Sequence, residues 1–226
     1  MANTIPRIAA IHDLAGFGRC SLTVILPVLS VMGVQACPVP TALLSTHSGG
    51  FPGFSFHDLT EDIEAFRNHW KELDLSFDCL YSGFLGSEQQ IEQVLSFFRT
   101  FRQQTGRQIL VDPVMGDNGK RYRTYTDGMQ RRMRDLVAEA DIITPNLTEA
   151  CFLLGEPYQG EQLPLDIAKT YLERLCEIGP RITVLTGLSL EAGRGCNLAY
   201  DAPNHQFWMV PYPLIAKQSA DFPGAS

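Results

Sequence analysis

Residues 77–101 read FDCLYSGFLGSEQQIEQVLSFFRTF. Phe77 to Tyr81 is a short apolar run of strand character. Ser87 followed three residues later by Gln90 is a capping-box pattern, and Ile91, Val94, Leu95, Phe98 and Phe101 then recur on one helical face. Between the two lies Ser82-Gly83-Phe84-Leu85-Gly86. Strand, glycine-rich turn and amphipathic helix make one β-α unit, and the same order recurs on both sides of it.

Upstream, Ile8 to Ile11 reads as a strand, followed by a helical stretch from Ser21 to Met32 that carries Pro27 and stops at Gly33. Val34 to Val39 is a second strand, and Leu59, Ile63, Phe66 and Trp70 share a helical face. Downstream, Ile109 to Val111, Ile142 to Thr144 and Ile182 to Leu185 are strands. Helix faces lie between them: Met129, Met133, Leu136 and Val137, then Ile167, Tyr171, Leu172 and Leu175. Short, wholly apolar strands alternating with helices predict an α/β fold, a mainly parallel sheet with helices on both faces in a three-layer sandwich. Asn197 to Tyr200 and Gln206 to Val210, joined through Asp201-Ala202-Pro203-Asn204, predict a hairpin that adds an antiparallel margin. No internal repeat or linker interrupts the pattern, so a single domain over 1–226 is expected.

With 45% hydrophobic and 19% charged residues in 226, the composition is that of a globular protein with a sizeable core. The net charge of −7 disfavours a nucleic-acid partner, because phosphate backbones are held by clustered cations. No apolar run approaches a membrane span, and the N-terminus lacks a signal-peptide pattern. The six cysteines stand singly with no CxxC pair, which reads as reduced thiols in a cytoplasmic protein.

In a doubly wound sheet, ligands bind beyond the carboxyl ends of the strands. Polar, glycine-rich segments follow each predicted strand: HDLAGFG (12–18), STHSGG (45–50), SGFLGS (82–87), DPVMGD (112–117), TPNLTE (144–149) and Thr186-Gly187. Gly16-Phe17-Gly18 lacks the third glycine of a dinucleotide fingerprint, and no GxxxxGK[ST] stretch exists. Asp112, Asp117 and Glu149 are expected on one rim, where like charges repel unless a magnesium ion bridges them to phosphate oxygens. The plainer alternative is that Asp112 and Asn146 cap turns or helices and that Glu149 is a first-turn helix residue. His47 reads equally as a ligand contact or a buried structural histidine. Phe84, between a glycine and Leu85-Gly86, reads as an open aromatic face for a flat ring or as a core residue.

Taken together, HDLAGFG, STHSGG, SGFLGS, DPVMGDNGK, ITPNLTEA and VLTG resemble the pyridoxal kinase branch of the ribokinase-like superfamily over essentially the whole chain. DPVMGD with ITPNLTEA is shared with hydroxymethylpyrimidine kinases, whereas STHS with SGFLGS points to the B6 kinases. The resemblance implies a kinase that uses ATP and Mg2+, with K+ as a further candidate, to phosphorylate the hydroxymethyl group of a B6 vitamer. It implies substrate contacts at Asp13, His47, Ser48 and Phe84, although the family often has serine at the position of Asp13 and tyrosine at that of Phe84. It implies ATP-side roles for Asp112, Tyr125 (Tyr122 being the alternative), Thr144, Asn146 and Thr186, and metal contacts for Asp117 and Glu149. A cytoplasmic homodimer is the expected assembly.

The resemblance also implies a catalytic GTGD-like turn. Pro223-Gly224-Ala225-Ser226 matches its first part, so Gly224, Ala225 and Ser226 are expected to form the anion-hole turn. The catalytic aspartate would follow Ser226, which implies that the natural chain continues and that this one alone transfers phosphate poorly. The rival readings are a hydroxymethylpyrimidine kinase and a non-catalytic B6-binding protein.

Overall fold

The computed structural model describes residues 5–47, 51, 53–102, 108–123, 125–160, 162–191 and 194–214. The chain forms two compact units, and the change from one to the other falls between Leu110 and Val111.

The first unit contains β1 (Arg7–Phe17), α1 (Leu22–Val31), β2 (Gln35–Thr46), β3 (Phe56–Asp58), α2 (Thr60–Glu72), β4 (Cys79–Ser82), α3 (Glu88–Phe101) and most of β5 (Gln108–Val111). The strands run in the order β5-β4-β1-β2-β3. β1 is parallel to both β2 and β4, and β3 is antiparallel to β2. Ala9, Ala10 and Ile11 of β1 are fully buried, as expected of a central parallel strand. β1 and β2 run further than the apolar pattern predicts. After a register shift between His12 and Leu14 the ladder continues to Phe17 and Thr46, so HDLAGF and Ser45-Thr46 lie within the strands rather than after them. The backbone ladder does not require apolar side chains, so hydropathy alone stops too early.

α2 and α3 pack through an aromatic cluster. Trp70 lies 5.2 Å from Phe77 and 6.1 Å from Phe97, and Phe77 lies 5.3 Å from Phe101, centroid to centroid. α3 starts as half of the expected capping box: Ser87 Oγ accepts from the Gln90 N–H at 3.1 Å. The fully buried Gln90 side chain turns elsewhere. Its carbonyl accepts from the Gly86 N–H at 2.7 Å, and its amide donates to the Thr41 carbonyl at 2.8 Å and to Thr60 Oγ1 at 3.1 Å. A buried amide needs all its partners: the residue before the cap supplies one donor, and β2 and α2 supply the acceptors.

The second unit contains a small hairpin, β6 (Gly116–Asp117) and β7 (Lys120–Arg121), followed by α4 (Asp127–Ala138), β8 (Ile142–Ile143), α5 (Leu147–Leu154), α6 (Leu165–Cys176), β9 (Ile182–Glu191), β10 (Arg194–Asp201) and β11 (Gln206–Pro213). β8 is parallel to β9, β10 is antiparallel to β9, and β11 is antiparallel to β10. The hairpin margin stands as expected. The Thr144 N–H donates to the carbonyl of Val111, the last residue of β5, at 3.2 Å. Among the described residues no helix is long and apolar enough to cross a membrane.

Candidate active site

In the first unit the polar groups gather where β1, β2 and β4 end. Asp13, on β1, is only 6% exposed. Burial pushes its carboxyl up, opposed by a hydrogen bond with the Ser21 side chain. Among the described residues its Oδ1 finds no hydrogen-bond partner, and neither does the buried Ser82 Oγ at the end of β4. Ser21 stands at the N-cap position of α1 with a positive φ of 49°, unusual for serine. His47 follows β2, and its N–H donates to the Phe17 carbonyl at 3.1 Å. Its ring meets Phe51 edge to face at 4.9 Å and lies directly on Gly18, where a Cβ would fall 3.3 Å from Cγ and closer still to Cδ2. Only glycine leaves room for that ring and also tolerates the φ of 106°. Ser48 lies outside the described residues.

Phe84 sits half-buried in the turn after β4, and its carbonyl accepts from Thr41 Oγ1 at 3.2 Å. His12 belongs to the same place and was not singled out from the sequence. It is 3% exposed, and burial lowers its imidazole to about 3, which leaves it neutral. A histidine at the end of an apolar run carries no sequence signal that separates it from a core residue.

In the second unit Asp112 follows β5, and Glu149 lies in the first turn of α5. Asn146 and Glu149 form a full capping box. Asn146 Oδ1 accepts from the Glu149 N–H at 2.9 Å, and Glu149 Oε2 accepts from the Asn146 N–H at 2.9 Å. Asn146 Nδ2 donates to the Gly116 carbonyl at 2.9 Å, and Glu149 Oε1 accepts from the Met115 N–H at 3.1 Å. The cap therefore also holds the DPVMGD loop. The plainer reading of Asn146 as a helix cap is correct at the level of geometry.

Glu149 is buried, and burial pushes its carboxyl well up. The Asp112 charge adds to this, and the backbone amides of Asn146, Met115 and Gly116 oppose it. Asp112 is itself raised to about 7 by burial. Neither carboxyl is paired with a lysine or arginine among the described residues. Asp117 differs: it is exposed, and its carboxylate accepts from the Asn118 N–H at 2.8 Å and Nδ2 at 3.0 Å. Tyr122 is raised to about 12 by burial and then by the charges of Glu149, Asp117 and Asp112, so all three carboxylates lie within its electrostatic reach. Tyr125 is buried, its hydroxyl without a hydrogen-bond partner among the described residues, and burial with the Glu149 charge pushes it upward. The Thr186 N–H donates to the Pro145 carbonyl at 3.0 Å, and Thr186 is bridged to Asn146 as in a parallel ladder. Asn146 and Thr186 are thereby held side by side.

Among the described residues no three His, Cys, Asp or Glu side chains form a ready metal-holding group. The donor chemistry nevertheless suits a hard divalent cation. Asp112 and Glu149 are oxygen ligands that repel one another, and a cation between them would relieve both. The expected catalytic turn, Gly224, Ala225 and Ser226, lies outside the described residues.

The chain is similar to known proteins along most of its length. It superposes on a phosphomethylpyrimidine kinase-type protein from Bacteroides thetaiotaomicron with a TM-score of 0.90 at 42% identity, covering 96% of this chain and 74% of that one. Pyridoxal kinase from Lactobacillus plantarum gives 0.83 at 29% identity, covering 95% and 75%. Pyridoxal kinase PdxY of Deinococcus radiodurans is 29% identical over 194 residues, 82% of this chain and 63% of the relative. That of Actinobacillus pleuropneumoniae is 30% identical over 141 residues, 61% and 47%. The chain thus spans about half to two thirds of the length of these curated relatives. The phosphomethylpyrimidine kinase family model matches residues 26–221, and with the α/β architecture above this makes the chain a member of that family with a ribokinase-like fold.

Proposed function

We propose that the protein is an ATP-dependent kinase that phosphorylates the hydroxymethyl group of a B6 vitamer. The observation that carries this reading is the cluster in the first unit. A buried carboxyl with a free oxygen (Asp13), a histidine seated on glycine (His47) and an aromatic in a pinned turn (Phe84) suit a flat, polar heteroaromatic ring. A second form of the Bacteroides protein, 43% identical to this chain, was solved with pyridoxal, which supports the ring class. A hydroxymethylpyrimidine is the alternative substrate, consistent with the family model.

In the transfer, the substrate alcohol oxygen bonds to the γ-phosphorus of ATP, the bond from that phosphorus to the β–γ bridging oxygen breaks, and ADP leaves. Asp13, His47, Ser48 and Phe84 hold and orient the ring. Thr144, Asn146, Thr186, Asp112 and Tyr125 serve the nucleotide side. Asp117 and Glu149, with Asp112 beside Glu149, would hold a magnesium ion. Bound there, the ion supplies charge neutralisation at the phosphate oxygens. Gly224, Ala225 and Ser226 would offer backbone N–H groups to the transferring group. The alcohol proton passes to a general base. Potassium is a candidate second ion. A cytoplasmic homodimer fits six cysteines in no disulfide and an α1 that exposes Val28 and Val31.

The test is a panel of pyridoxal, pyridoxamine, pyridoxine and hydroxymethylpyrimidine, each titrated into the protein by calorimetry and assayed with ATP and magnesium. Binding of at least one B6 vitamer about tenfold tighter than the pyrimidine is expected. Preference for the pyrimidine would transfer the assignment to the alternative, and no binding of any ring would sink both.

A further inference from the structure

His12 is a buried histidine with no assigned role. It sits on β1 opposite Pro40 of β2 and just before the register shift in the ladder. Its ring meets Tyr81 of β4 edge to face at 4.4 Å. The Gly83 N–H donates to the carbonyl of Ile11, the preceding residue, at 3.1 Å, which fixes Gly83 beside the imidazole. The contact is close: a Cβ on Gly83 would sit 2.5 Å from His12 Cε1 and closer still to Nδ1. Gly83 is followed by Phe84, whose carbonyl is tied from the other side by Thr41 Oγ1. The turn is therefore fixed at three points, and His12 supplies the one that bears on its shape.

We propose that His12 is a positioning residue for ring recognition: its imidazole is the seat on which Gly83 rests, and this seat sets the placement of the Phe84 ring. The inference rests on the B6 reading above and adds a residue that acts through another, not on the substrate directly. The role is steric, which agrees with an imidazole that stays neutral across the working range and whose Nε2 makes no hydrogen bond among the described residues. It also accounts for glycine at position 83, because any side chain there would occupy the volume of the ring.

The experiment is a double-mutant cycle on the whole chain, read by calorimetric titration of pyridoxal, with a non-hydrolysable ATP analogue as control and melting temperature as a check on folding. His12→Ala is expected to raise the Kd for pyridoxal by about tenfold while that for the analogue stays within about twofold, since only the ring contact is displaced. His12→Phe, which keeps an aromatic seat without the ring nitrogens, is expected to stay within about threefold of the unaltered protein. Gly83→Ala should weaken pyridoxal binding by about tenfold, and Gly83→Ala combined with His12→Ala should be no weaker than either single variant, because both remove the same seat. Additive losses, or a His12→Phe protein as weak as His12→Ala, would overturn the proposal. If His12→Ala does not fold, His12→Phe decides alone by retaining or losing affinity. Absence of pyridoxal binding by the unaltered protein would overturn the B6 reading itself, whereas normal binding by His12→Ala would overturn only the role given to His12.

Discussion

At the scale of single residues, the informative side chains are those whose surroundings oppose their chemistry. Asp112 is an acid in a place that disfavours its charge. Its carboxyl is raised from 3.8 to about 7, so the folded protein holds that proton more tightly than the unfolded chain does. As pH rises from about 4 to about 7 the unfolded chain gives up the proton first, and over that span the group destabilises the fold. Urea titrations without magnesium should show stability falling across that window, and Asp112→Asn should flatten the fall. A variant with an unchanged pH profile would contradict this account. Phe84 makes a different prediction. If its ring covers the substrate, Phe84→Ala should weaken pyridoxal binding by about 1–3 kcal/mol and leave ATP binding nearly unchanged. Loss of both affinities together with a collapsed melting temperature would show it to be a core residue.

At the scale of elements, α5 is the shortest helix among the described residues and the most consequential. Its eight residues could not stand alone, and the Asn146–Glu149 capping box starts it while tying it to Gly116 and Met115. Asn146→Ala removes the cap, leaves the Gly116 carbonyl without its donor, and should cost about 2 kcal/mol by chemical unfolding. Asn146→Asp keeps the cap acceptor but loses the Gly116 donor and adds a charge near Glu149, so it should not restore full stability. Equal stability of all three proteins would show that the cap contributes nothing. Neither α5 nor the β6–β7 hairpin was expected as an element from the sequence, although Asn146 and Glu149 were read as a possible cap and first turn. Eight-residue helices and two-residue strands are too short to show a period. β3 escaped for the same reason, since its three residues are all exposed.

At the scale of the whole molecule, α1 is the open question that chemistry can answer. LTVILPVLSV carries no charge, yet only Leu22 is buried, while Val28 and Val31 are 51% and 90% exposed and the following Met32 is 68% exposed. An apolar face of this kind is expected at a protein contact, and a second copy is the partner under the dimer reading. Val31→Glu should then shift the sedimentation profile from dimer to monomer at micromolar concentration without lowering the melting temperature of the monomer. An unaltered protein that sediments as a monomer would remove the dimer from the account.

The β-α alternation, the hairpin margin and the face of α3 were all legible in the amino-acid order, because period and turn chemistry are properties of neighbouring residues. The same reading puts His47, Phe84 and Asp112 just after strands, whereas Asp13 lies inside β1, which runs on to Phe17. Only the tertiary structure decided which atoms go without partners and which acids resist ionisation. Burial brings Asp112 to Glu149 across 37 positions of chain, and it places the Gly83 backbone against His12 across 71. Gln90 shows the difference most plainly: its sequence position promises a helix cap, but its buried amide is claimed by Gly86, Thr41 and Thr60. A side chain's local pattern says what it can bond to, whereas desolvation and long-range packing determine what it does bond to.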